Sequence, residues 1–242
     1  MAVFTAVDLE TTGLNPAKDK IIEIGAVKVV DGKTVDTFSM LINPKMSIPC
    51  KITEITGIDD EMVADAPGIQ KVLEEFYDFV EEDDLLGHNL LFDYSFLKTQ
   101  FFIQGINYER KGYDTLRIAK KMLPQLKSRS LGALCDFYGL KNLCAHRAFE
   151  DASVTAQLYF QLEKQFKIGN ESIFQPALLQ YKIKKEEPIT MKQKKYLIDL
   201  LKCHRIKIEA ILPKGVNAIE EMTKSQGSKA IDFIILHYGR LY

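Results

Sequence analysis

The sequence predicts an α/β protein: a mixed sheet flanked by helices, followed by a small C-terminal α-helical module. Three observations carry this. The chain opens on β-rich runs broken by a hairpin signal. Helical periodicity then alternates with short apolar runs. Charge finally changes sign: residues 1–166 hold 18 Lys+Arg against 25 Asp+Glu, net −7, and residues 167–242 hold 14 against 8, net +6. An acidic body joined to a basic end suggests two jobs.

Each element follows from its residues. Phe4–Asp8 reads as a buried strand, and Ile21–Val30 alternates loosely with β-branched residues. Asp31-Gly32 is a hairpin signal, so Val35–Ile42 is the returning strand, ended by Asn43-Pro44. Val72, Leu73, Phe76 and Phe79/Val80 form one stripe, which predicts a helix over Ile69–Val80. Leu85-Leu86-Gly87 is a fourth strand. Helices are expected at Phe92–Gln104, Thr115–Met122, Ser130–Tyr138, with Gly139 as C-cap, and Ala148–Gln165. Residues 1–166 form the first domain. Residues 167–189, with Gly169, Pro176, Pro188 and a Lys/Glu cluster, read as a linker. Residues 190–242 form the basic helical module, with Thr190 capping Met191–His204 and Thr223 or Ser225 preceding a helix over Lys229–His237.

Composition narrows the classes. Of 242 residues, 46% are hydrophobic, enough for a real core and too many for wholesale disorder. No run approaches the ~20 apolar residues of a membrane span. The opening MAVFTAVDLE lacks the pattern of a secretory signal. Cys50, Cys135, Cys144 and Cys203 form no C-x-x-C pair, and no second pair completes a zinc site around Cys144 and His146. Reduced thiols in a cytoplasmic protein are expected.

Three clusters carry chemistry. Asp8 and Glu10 lie two apart at a strand end, so both carboxylates point one way. Their repulsion is relieved by a hard divalent cation; a solvated strand end has the same sequence. Asp93 follows Gly87-His88-Asn89 in the first turn of a helix, where an acid also serves the helix dipole. Asp151 lies in the first turn of the next such helix, after the loop residue His146. Each cluster sits where a strand or loop meets a helix, as sites in α/β folds do. Together Asp8, Glu10, Asp93 and Asp151 are a ligand set for two Mg²⁺ or Mn²⁺ ions, and His146 is left to take a proton from water. His204 and His237 are expected to be structural or on the surface.

Asp8-Leu9-Glu10-Thr11-Thr12-Gly13-Leu14 resembles the first motif of the DEDDh 3′–5′ exonucleases, the family of the proofreading epsilon subunit of bacterial DNA polymerase III. Gly87-His88-Asn89, Phe92 and Asp93 are similar to the second motif. His146-Arg147-Ala148, Asp151 and Ala152 are similar to the third. Ile55-Thr56-Gly57-Ile58 and Tyr113-Asp114-Thr115-Leu116 resemble two connecting segments. The resemblance covers about residues 1–165. It implies a ribonuclease-H-like fold and removal of nucleoside 5′-monophosphates from a DNA 3′ end by two-metal catalysis, with Asp8 bridging the ions and His146 as general base. It places Thr11, Gly13 and Leu14 against the terminal base and sugar, Thr56 and Ile58 beside them, and His88, Asn89 and Phe92 opposite. The expected partner is a single-stranded DNA 3′ end, with RNA as the alternative substrate. Proofreading beside a DNA polymerase, DNA repair and phage defence are the candidate roles. Residues 167–242 lie outside the resemblance; they resemble small helical modules appended to phage and bacterial nucleic-acid enzymes. Their stretch Lys182–Lys207, with 9 Lys+Arg and 3 Asp+Glu, reads either as a strand-holding surface or as a solvated amphipathic helix.

Overall fold

The structure, a computed structural model, describes residues 3–141, 146–183, 187–213 and 216–241. Two compact units result, residues 1–183 and 184–242.

In the first unit, β1 (Val3–Thr11), β2 (Ile21–Val30) and β3 (Lys33–Leu41) form an antiparallel meander. Its tight corner is Asp31-Gly32, both at positive φ. Two helices follow, α1 (Cys50–Thr56) and α2 (Ile69–Val80). The pair β4 (Asp84–Gly87) and α3 (Leu91–Ile103) is repeated by β5 (Lys111–Asp114) and α4 (Thr115–Met122). Then come α5 (Leu131–Tyr138), α6 (Ala148–Phe166) and β6 (Ala177–Leu178). The sheet order is β3-β2-β1-β4-β5-β6, with β4 and β5 parallel to β1 and β6 antiparallel to β5. This mixed sheet flanked by helices is the expected architecture. Val7, Leu9, Ile24 and Ala26 pack under α2 and α3 through Val72, Phe76, Leu97 and Phe101. On the opposite face Phe4, Ala6, Val27 and Val29 pack with residues of α4, α5 and α6. Alternation along β1 and β2 thus divides the core into two layers.

Three elements were not anticipated. Residues 50–56 lack an amphipathic stripe, and β5 and β6 are too short to show a period. The boundary also moves. Ile173 and Phe174 are buried in the core, and β6 pairs with β5, so the first unit extends to residue 183 and most of the expected linker belongs to it.

The second unit is built on α7 (Met191–Cys203) and α8 (Lys224–Tyr238). Both start with the same capping box, Thr190 with Gln193 and Thr223 with Gln226, which satisfies two orphan amides at each helix start. A bridge between Pro188 and Thr223 sets the two starts side by side. Leu197, Leu200, Leu201, Met222, Ile231 and Ile234 form the core beneath. The helix expected at Lys229 begins earlier, because Thr223 is its cap. His204 is half-buried beside Tyr238, and His237 is exposed against Phe233. No helix among the described residues is long and apolar enough to cross a membrane.

Candidate active site

Strand alternation aims the first two acids. Phe4 and Ala6 face the α6 layer, so Asp8 and Glu10, next in the same row, face it too. Across the ladder Asp8 lies opposite Gly25, and Glu10 lies opposite Glu23. Opposed residues share a face, and the start of α6 rests on this one. A Cβ on Gly25 would fall 2.1 Å from the Ala148 carbonyl carbon, so only glycine admits the helix this close.

Glu23 fixes that helix start. Its carboxylate is 1% exposed. It accepts from Arg147 Nε at 3.2 Å, from Arg147 Nη2 at 2.7 Å and from the Ala148 amide at 3.0 Å. The guanidinium fork offsets the repulsion between Glu23 and Glu10, which like charges directly opposed would otherwise feel. One turn on, Asp151 Oδ2 accepts the His146 amide at 3.0 Å. This bond spans a backbone at φ 65°, in the left-handed region. The exposed His146 ring, Glu10 and Asp151 each offer a ligand atom, all within 4.8 Å of one another.

Asp93 arrives from the other layer. The chain leaves β4, turns through Asn89 at φ 67°, and enters α3. The buried Asp93 carboxylate accepts the Leu9 amide of β1 at 3.1 Å. The Asn89 turn is held in turn by Asp114, whose Oδ1 accepts the Asn89 amide at 3.0 Å and also caps α4. The structure therefore gathers all five expected catalytic residues at one end of the sheet.

Crowding shifts their protonation. Burial, then the charges of Asp93, Asp151, Glu10 and Glu23, hold the Asp8 carboxyl well above the usual carboxylate range. Burial pushes Glu10 up to about 8, with Asp151, Glu23 and Asp93 adding and Arg147 opposing. Asp93 is raised chiefly by burial, against the stabilising amides of Leu9 and its own backbone. Such a cluster suits a hard divalent cation, whose charge offsets the mutual repulsion and whose preferred donors are oxygens.

The expected nucleotide contacts divide. Leu14 is 83% exposed just past β1, Asn89 is exposed, and Phe92 is half-buried against Phe96. Gly13 is half-buried, and Asp19 occupies the space a Cβ would need. These four remain at the surface. The Thr11 hydroxyl is spent on the Gly13 carbonyl at 2.6 Å. Thr56 is buried and bonded to Ile52 and Ile58, and Ile58 is fully enclosed with Ile22, Ile48 and Val63. His88 uses both ring nitrogens, Nδ1 with Thr115 Oγ1 at 2.9 Å and Nε2 with the Arg129 carbonyl at 3.0 Å. Burial lowers its pKa, as suits a neutral ring bridging two segments. In this structure the hydroxyl of Thr56, the side chain of Ile58 and the ring nitrogens of His88 are engaged within the fold.

Residues 5–159 match the RNase T exonuclease family. The chain belongs to the DnaQ-like 3′–5′ exonucleases. This exonuclease is 43% identical over 171 residues to the PolC-type DNA polymerase III of Caldanaerobacter subterraneus subsp. tengcongensis, and 34% over 163 residues to that of Bacillus subtilis. Those alignments cover 70% and 66% of the chain but only 12% and 11% of the polymerases. Among solved structures, Exonuclease X in complex with 5′ overhanging duplex DNA is 29% identical with a TM-score of 0.57, covering 67% of this chain and 92% of that one. Escherichia coli Exonuclease I in complex with a dT13 oligonucleotide has a TM-score of 0.65 at 17% identity, covering 72% and 44%, a likeness of fold. The enzyme is thus a phosphodiester hydrolase of the expected family.

Glu23, Gly25 and the ion pair to Arg147 were not picked out as functional from the sequence. A signal existed: a carboxylate and a glycine interrupt the otherwise apolar start of strand IIEIGAVKVV. Buried charges are rarely unpaired, and a strand glycine often marks a close backbone approach.

Proposed function

We propose that this exonuclease releases nucleoside 5′-monophosphates from the 3′ end of DNA, with Asp8, Glu10, Asp93 and Asp151 holding two Mg²⁺ or Mn²⁺ ions. The observation that carries this is the convergence of four carboxylates from β1, α3 and α6, three of them with raised pKa. Bound divalent cations would neutralise the attacked phosphodiester and acidify water. Asp8, on the central strand β1, feels the charges of the acids from both helices. His146, exposed beside Asp151, takes the proton from the attacking water. Leu14 and Phe92 offer apolar surfaces that tolerate any base. The 29% identical Exonuclease X, solved with duplex DNA, supports DNA over RNA. The PolC-type relatives support a second reading, in which the enzyme proofreads beside a DNA polymerase with residues 184–242 as its tether. A cytoplasmic site of action fits the likeness to DNA polymerases.

The test is a Mg²⁺ time course on single-stranded, paired and mismatched DNA and on matched RNA. Stepwise release of 5′-mononucleotides from DNA 3′ ends is expected. His146→Gln should lower kcat by roughly 10²–10⁴, with higher pH partly restoring the rate. Internal cuts, or equal rates on RNA, would reject the assignment. Parallel pH–rate profiles for wild type and His146→Gln would remove His146 as the base.

A further inference from the structure

One surface of the first unit runs against its charge. The body is acidic, yet residues 115–135 carry Arg117, Lys120, Lys121, Lys127 and Arg129 and no Asp or Glu. Arg117, Lys120, Lys121 and Lys127 are exposed, and Arg129 is half-buried. Elsewhere in the unit Lys28, Lys98, Arg110, Arg147 and Lys167 are ion-paired. Among the described residues Arg117, Lys120, Lys121, Lys127 and Arg129 have no acidic partner within 4.0 Å, although Arg117 and Arg129 donate to backbone carbonyls. A folded protein that leaves five cations together without acids keeps an uncompensated field, and such a field recruits polyanions.

The surface is physically joined to the catalytic end. Asp114 caps α4 and holds the Asn89 turn. His88, next to that turn, hydrogen-bonds the Arg129 carbonyl and the Thr115 hydroxyl. Lys120 is near enough to oppose protonation of His88. Arg117, Lys120 and Lys121 also line one open concavity of about 520 Å³, with Ser172 and Ile173. The eight residues of α4 span about 12 Å. That length runs alongside more than one phosphate of a strand.

We infer that the exposed face of α4 and the loop 123–130 hold the phosphodiester backbone of the strand whose 3′ end lies at the acids. This rests on the proposed exonuclease reading and adds a site to it. The acids cannot attract DNA by charge, so a cationic track beside them brings the polyanion to a negative site. Such contacts are blind to sequence and strongly dependent on salt.

The test uses the full chain, with Lys120→Gln/Lys121→Gln as the variant and Lys120→Arg/Lys121→Arg as the charge-keeping control. Binding of a labelled single-stranded dodecanucleotide, as DNA and as RNA, is followed by anisotropy in Ca²⁺ across a salt series. Hydrolysis of the dodecanucleotide and of thymidine 5′-p-nitrophenyl phosphate, which has no upstream backbone, is followed in Mg²⁺. For the Gln variant we expect a salt slope shallower by about 1.4, at roughly 0.7 per lost contact, and a KM for the oligonucleotide raised several-fold. Hydrolysis of the small ester should be unchanged, and the Arg control should behave as wild type. An unchanged slope, or equal losses on oligonucleotide and ester, overturns the track. If wild type cleaves neither substrate, the exonuclease reading fails, while the binding series still decides whether the surface holds nucleic acid.

Discussion

Two helix starts deliver aspartates to the same strand, and they are held by different means. α3 follows β4 directly, and Asp93 is locked by one bond to the Leu9 amide of β1. α6 follows a long excursion, and Asp151 is placed by a clamp: Gly25 admits the helix, and Glu23 seizes Arg147 and the Ala148 amide. The first arrangement joins residues 84 apart, but a short turn from β4 into α3 delivers Asp93 and leaves it little freedom. The second joins residues 124 and 125 apart in sequence, so precision there needs a buried ionic device. The α6 side is therefore the more vulnerable of the two.

The largest effect is expected at the point both starts serve. Asp8→Asn should remove all but a few per cent of kcat in saturating Mg²⁺, while metal-free stability rises, because one member of a repelling cluster becomes neutral. Retained activity would mean that the two helices converge on something other than Asp8. Next is the clamp. Gly25→Ala forces a Cβ into the Ala148 backbone and should cost about 1–3 kcal/mol by overpacking, with a loss of kcat beyond what that stability change explains. Glu23→Gln should cost about 2 kcal/mol, since Arg147 loses its charged partner but can turn toward water. It should lower kcat with little change in KM. On the α3 side, Asp114→Asn should do less, because an amide oxygen still accepts from Asn89 and Leu116. Equal losses from Glu23→Gln and Asp114→Asn, by kcat and by thermal unfolding, would erase the difference between the two starts.

The same contrast explains what could be read from sequence. Asp8, Glu10, Asp93 and Asp151 were legible because each stands at a strand end or in the first turn of a helix, within a short motif. The helices at 69–80 and 115–122 were legible from periodicity and from the caps or breaks beside them. Glu23 was hidden because its value lies in a partner brought near by folding. β5 and β6 were hidden because four and two residues show no period. Motif alone assigns Thr56, Ile58 and His88 to the nucleotide; the partners each side chain finds within the fold are a tertiary outcome. Residues 167–183, the larger part of the expected linker 167–189, show this too: Gly169 and Pro176 signal turns, and turns also occur inside a compact unit.

The smallest predicted effect concerns pH, and its sign follows from the acids. Glu10 titrates near 8 in the fold, and Asp8 and Asp93 are also raised. In the unfolded chain all three titrate near the ordinary value of about 4. Between these limits the folded protein binds more protons than the unfolded one, so stability falls as pH rises. The contribution is whole below about pH 4 and lost as pH passes about 8. Part of each shift is screened by water, since Asp8 and Glu10 are only half-buried. A net loss of about 2 kcal/mol, or roughly 4–8 °C in Tm, is a sensible scale. In EDTA, Tm should therefore drop between about pH 5 and about pH 8.5. Mg²⁺ should oppose the drop, because cations bind the ionised form and their stabilisation grows as protons leave. Asp8→Asn should flatten the metal-free slope, since it removes one of the three carboxyls whose titration is raised in the fold. Glu23→Gln should flatten it less, because Glu23 stands behind Asp151 among the charges that raise Glu10 and last among those that raise Asp8. A metal-free Tm that stays level or rises across this range would show that the acids are already ionised in the fold, and that the crowding at the end of β1 is relieved without a cation.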